Sequence, residues 1–130
     1  MSILVWIFHT NGDFTKKDII IQNDWINPSQ INDDYKDIDH MGGYTISCGN
    51  NEYYILTHNI NDIPTNCQNI HFKLPVNKAL QSIYPTSTIL GDIMVFRSIE
   101  YKFIDIEDDL NLIKHKIKDC DLDNIYFNEQ

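Results

Sequence analysis

The sequence predicts an α+β domain: a largely antiparallel sheet with two or three helices, the clearest of them near residues 107–118. Three observations predict it. Short runs rich in Ile, Val, Tyr and Phe recur along the chain, separated by Asn, Gly and Pro. One stretch, Gly42-Gly-Tyr-Thr-Ile-Ser-Cys-Gly-Asn-Asn-Glu-Tyr-Tyr-Ile-Leu-Thr-His58, is two such runs around turn residues. A charged segment further on has helical spacing and ends that match a helix dipole.

The first run, residues 2–9, is continuously apolar and stops at Thr10-Asn-Gly-Asp13. Asn11 and Gly12 both tolerate positive φ, so a turn is expected there. A second run, Asp18 to Gln22, makes a hairpin or a neighbouring strand with the first. Asn27-Pro28 then places an N-cap before proline at the first helical position. Ile31, Tyr35 and Ile38 fall on one face of the short helix this allows; the alternative is a long acidic loop. The Gly42–His58 stretch is the strongest hairpin signal, with its turn at Gly49-Asn50-Asn51 and with Tyr44, Ile46 and Cys48 on one face. Residues 59–69 read as loop and 70–74 as a short strand. Pro75 to Ile83 reads as a short helix ended by Pro85. Thr88–Phe96 and Ile99–Ile106 are two more strands, bending at Arg97-Ser98. In the last helix Glu107, Asp108 and Asp109 crowd the first turn, while Lys114, His115, Lys116 and Lys118 crowd the last. Leu110, Ile113 and Ile117 form the stripe that packs on the sheet.

At 130 residues the chain is expected to form a single compact domain, 1–130, able to bury roughly two-thirds of its unfolded surface. The net charge is -9, with only ten Lys and Arg, widely scattered. Phosphate recognition needs those side chains clustered, so neither nucleic acid nor an anionic membrane is expected as a partner. The apolar run at Ile3–Phe8 is too short to span a bilayer and lacks the flanks of a signal peptide. Three cysteines, at 48, 67 and 120, are too few and too odd for a disulfide framework. They fit a reducing, cytoplasmic compartment, or a virion. There is a single Arg (Arg97) and a single Ala (Ala79), while residues with AT-rich codons dominate. Large DNA viruses of protists, slime moulds and some parasites have genomes of that kind.

Candidate chemistry is sparse. A nucleophilic thiol needs a base within hydrogen-bond reach. Cys48 has His58 on the partner strand, but a tight hairpin holds the two on the order of 17 Å apart. His40 or His71 would have to approach it through tertiary structure. Cys67-Gln-Asn-Ile-His71 has a ligand-like spacing, and with Cys48 and His58 it is a candidate zinc set. Asp119, Asp121 and Asp123 alternate as in a calcium loop. Asn124 stands where that loop needs glycine, and Gln130 where it needs a bidentate glutamate. The run Asp33-Asp34, Asp37, Asp39 reads first as a solvated face. Gly91-Asp92 interrupts a strand, as bulges beside sites do, and Asp92 needs a partner such as Arg97 or a lysine. No P-loop, dinucleotide fingerprint, Gly-x-Ser-x-Gly elbow or His-Glu-x-x-His occurs, so the sequence names no cofactor.

These observations favour a small acidic protein-interaction or structural module that binds a protein partner or itself. Seven tyrosines exceed the needs of one small core, and tyrosine suits interfaces. An edge strand of the hairpin is one route to a homo-oligomer. A cysteine-dependent enzyme built on Cys48, and a zinc or calcium module, are the alternatives.

Overall fold

The computed structural model describes residues 2–23, 25–35, 42–48, 51–57, 75–85, 87, 89–100, 102–118 and 122–127. In chain order the elements are β1 (Ser2–Phe8), β2 (Phe14–Gln22), β3 (Trp25–Ile26), β4 (Gly42–Cys48), β5 (Asn51–Thr57), α1 (Lys78–Gln81), β6 (Ile93–Ile99), β7 (Lys102–Ile104), α2 (Leu110–Lys118) and β8 (Leu122–Phe127). Single 3₁₀ turns occupy Pro28–Gln30 and Asp33–Tyr35. The fold is α+β and its strand pairs are antiparallel, in the order β3-β2-β1-β6-β5-β4-β8. β6 lies at the centre. β5 pairs along one of its edges, while β1 takes Ile93–Val95 and β7 takes Arg97–Ile99 on the other.

Strand alternation sends side chains to two faces, and both are covered. On one face Trp6, Phe8, Tyr53, Ile55, Ile93 and Val95 pack with Leu80 and Ile83 and with Ile113 and Ile117 of α2. On the other, Ile3, Val5, Ile7, Ile19, Leu56, Met94 and Phe96 pack under Ile31 and Tyr35. The stripe read from the sequence of α2 is thus its buried face, Ile113 and Ile117 being fully enclosed. Each contributes roughly 1.5–3 kcal/mol of burial.

Several boundaries differ from the sequence reading, each for a local reason. β2 starts at Phe14, because Phe14 packs edge-to-face on Phe8 with ring centroids 4.8 Å apart. Asn27 does cap, its Oδ1 accepting from Ser29 N–H at 3.0 Å, but only a 3₁₀ turn follows. Ile31 and Tyr35 still reach one buried side. α1 is shorter than Pro75–Ile83: Val76 bridges Leu90 in extended form, and Asn77 caps the helix through Leu80 N–H. Arg97 and Ser98 lie inside β6, not at a bend. The turn comes at Glu100, which takes a left-handed φ of 50°. The hairpin closes with Cys48 opposite Asn51, one residue earlier than a turn centred on Asn50 and Asn51 gives. The loop and strand expected at 59–69 and 70–74, and Asp37 and Asp39 of the acidic run, lie outside the described residues.

Among the described residues no helix is long and apolar enough to cross a membrane.

Candidate functional site

Three places concentrate polar or exposed groups. The first is where β1 ends and β6 begins. Gly12, at φ 98°, lets the chain reverse there from β1 into β2. Asp92 is the hub, its carboxylate mostly enclosed. Its Oδ1 accepts from Thr10 N–H at 2.9 Å, and its Oδ2 accepts from Asn32 Nδ2 at 3.1 Å and meets His9 Nδ1 at 3.2 Å. His9 Nε2 lies 2.8 Å from Thr15 Oγ1. A carboxylate, an imidazole and an exposed hydroxyl therefore stand in line, an arrangement that can polarise a hydroxyl. Beside it Asn77 is fully buried. Its Nδ2 donates to the carbonyls of Phe8 and Gly91, both at 2.8 Å. Asp92 is paired with His9, Thr10 and Asn32 rather than with Arg97 or a lysine.

The second place lies under α2. Glu107 stands ahead of the helix instead of in its first turn, and Asp109 caps α2 by accepting from Asn111 N–H at 3.0 Å. Tyr53 O–H donates to Glu107 Oε2 at 2.5 Å, Lys116 Nζ lies 3.1 Å from Oε2, and Arg97 lies 3.3 Å from Oε1. Trp6 Nε1 donates to the Glu107 carbonyl at 2.9 Å. Burial alone would raise the Glu107 carboxyl. The hydrogen bonds from Tyr53, from its own N–H and from Lys116, with the charge of Arg97, outweigh burial and hold it below the usual carboxylate range. Burial first, then the hydrogen bond to Glu107 and its charge, push the Tyr53 phenol well above its ordinary value. This cluster ties β1, β5, β6 and α2 together.

The third place is the outer edge of β2. β1 covers its inner edge, and β3 covers only Ile21 and Gln22 on the outer one. Over 14–20 no strand pairs with that outer edge among the described residues. Gln30 stands in for a strand at one point. Its Oε1 accepts from Ile20 N–H at 2.7 Å and its Nε2 donates to the Ile20 carbonyl at 2.9 Å. Ile20 itself is 56% exposed and, with Gln22, Asn27 and Gln30, lines an open hollow of about 210 Å³.

Among the sequence candidates, Cys48 ends β4. Thr57, the last residue of β5, pairs with Gly42 at the opposite end of the hairpin. His40, His58, His71, Cys67, Asp119 and Asp121 lie outside the described residues. Asp123 lies in β8, where the register with β4 shifts: Asn124 pairs with Thr45 and Leu122 with Ile46. Strand thus occupies 122–127, within the stretch compared with a calcium loop. Among the described residues no group of three His, Cys, Asp or Glu is placed to hold a metal ion. Among the described residues β4 and β5 each pair on both sides, so neither strand of the hairpin is an edge strand of the sheet. Sequence reasoning passed over His9, Asn32, Asn77 and Gln30. His9 at a strand end beside an Asn-Gly turn was the one local signal.

Comparison with protein-family models, with curated proteins and with solved structures gave no match.

Proposed function

We propose that the chain is a protein-interaction module that self-associates through the margin of its sheet. One observation carries this reading: the outer edge of β2 lacks a strand partner over 14–20 among the described residues, beside an isoleucine that is more than half exposed. An unpaired strand edge is a template for another strand. The polar side chains inside the fold support the same reading, since Asp92, Asn77 and Glu107 each join several elements and act as structural ties. Light scattering and sedimentation between micromolar and millimolar concentration test it. Reversible, concentration-dependent association is expected, and a strict monomer throughout overturns it.

A second reading rests on the Asp92–His9–Thr15 line, which suits a hydroxyl nucleophile. It predicts slow turnover of an activated aryl ester that His9→Ala and Thr15→Val both abolish. Equal rates in all three proteins exclude it. Iodoacetamide labelling of Cys48 across pH tests the thiol-enzyme alternative. Elemental analysis of protein purified without chelator tests the zinc and calcium alternatives.

A further inference from the structure

We infer that β2 is a self-complementary edge that pairs antiparallel with β2 of a second copy, Lys16 of each lying opposite Asp18 of the other. The inference rests on the self-association reading and names its surface and register.

Alternation decides which backbone groups are available. His9 N–H donates to the Asp13 carbonyl at 2.9 Å, while both backbone groups of Ile20 face Gln30. Odd residues of β2 therefore bond towards β1, and Phe14, Lys16, Asp18 and Ile20 point their N–H and C=O groups outward. The same four residues alternate onto one face, the one that carries Phe14 against Phe8.

In an antiparallel pair between copies, outward residues must meet outward residues, so the possible registers step by two. With Lys17 on the two-fold axis, Phe14 meets Ile20 and Lys16 meets Asp18, each pair occurring twice. The exposed Ile20 gains an aromatic neighbour, and each ammonium gains a carboxylate. One step either way puts Lys16 opposite Lys16 or Asp18 opposite Asp18. Charges that would otherwise blunt an edge strand thus select a single register.

Two features limit the strength of the pairing. Lys17 meets its own copy across the axis, although its Nζ is drawn to the Gln30 carbonyl at 2.7 Å. The Gln30 side-chain amide also occupies the Ile20 groups that Phe14 of the second copy would use. It must swing out, exchanging two hydrogen bonds for two. Lys16 already pairs with Asp108 on the surface, where such pairs exchange readily. The expected assembly is a weak dimer for which Gln30 acts as a removable plug.

Charge reversal with rescue tests the inference on the full chain by sedimentation equilibrium. Lys16→Asp alone and Asp18→Lys alone should each weaken the dimer at least about tenfold. The double variant K16D/D18K restores opposite charges in the same register and should dimerise like the wild type. Gln30→Ala should tighten the dimer. Matching melting temperatures would show that the exposed substitutions leave the fold intact. If the wild type associates and the single reversals do not change it, this surface is wrong and the self-association reading survives. If the singles weaken the dimer and the double does not recover, the register is wrong. A wild type monomeric at every concentration removes both ideas.

Discussion

Tyr53 and Glu107 mark the pH range in which the fold is stable. Glu107 is held below its ordinary pKa in the folded state. Its contribution is therefore complete above the unfolded value, about 4.3, and is lost as the pH falls through the folded one. Tyr53 is shifted the other way. Its contribution is complete below the unfolded value, about 10, and declines as the pH rises beyond it. Glu107→Gln should flatten the acid limb of a stability–pH curve and Tyr53→Phe the alkaline limb, both read by urea unfolding. Retention of both limbs in the variants would show that other groups set them. Asn77 makes a separate case. Asn77→Ala removes a helix cap and leaves the Phe8 and Gly91 carbonyls without their donor. A loss of about 3 kcal/mol is expected. Asn77→Asp keeps the cap acceptor but sets a buried carboxylate oxygen against both carbonyls, so it should cost at least as much as Asn77→Ala. Equal stability of all three proteins would contradict the tie assigned to Asn77.

Turns govern the elements. Asn23 and Glu100 both take positive φ, at 52° and 50°. Asparagine tolerates that region and glutamate does not. Glu100→Gly should therefore raise stability by about 0.5–1 kcal/mol, measured by thermal and urea unfolding. A decrease would mean that Glu100 makes contacts worth more than its strain. The same residue shows how far the elements were legible. The run at 2–9, the strands on either side of the hairpin turn (42–48 and 51–57) and the stripe Leu110, Ile113, Ile117 match the sequence reading, because period-two and helical patterns are local properties. Arg97-Ser98 drew the bend to the wrong place, since polarity usually marks a turn. Arg97 stays within β6 because Glu107, ten residues on, lies against it. The brief α1 has a similar cause: Val76 is held extended by Leu90, fourteen residues away, which no window over 75–83 contains. The polar sites were less legible still. Asp92 was singled out, but His9 and Asn32 reach it from 83 and 60 residues away in sequence.

At the scale of the molecule, the surface is acidic and the packed faces are closed by α1 and α2 on one side and the 3₁₀ turns on the other. Leu112, 43% exposed on the outer side of α2, offers a control for any surface experiment. Leu112→Lys should change stability by less than about 0.5 kcal/mol and leave association untouched. A change in association would move the interface from the β2 edge to α2.

The central place of β6 has a kinetic consequence. β1 pairs locally with β2, and β4 pairs locally with β5, but among the described residues the two hairpins are joined in the sheet through β6, residues 93–99. Contacts such as Phe8 with Ile93 close long loops before they return any energy. Refolding should therefore be slow for the chain's size, in the millisecond-to-second range of proteins dominated by distant pairings. During that interval each hairpin exposes the edge that β6 later covers, with apolar side chains of β1 on one and Tyr53–Leu56 on the other, and concentrated refolding should favour aggregation over the native sheet.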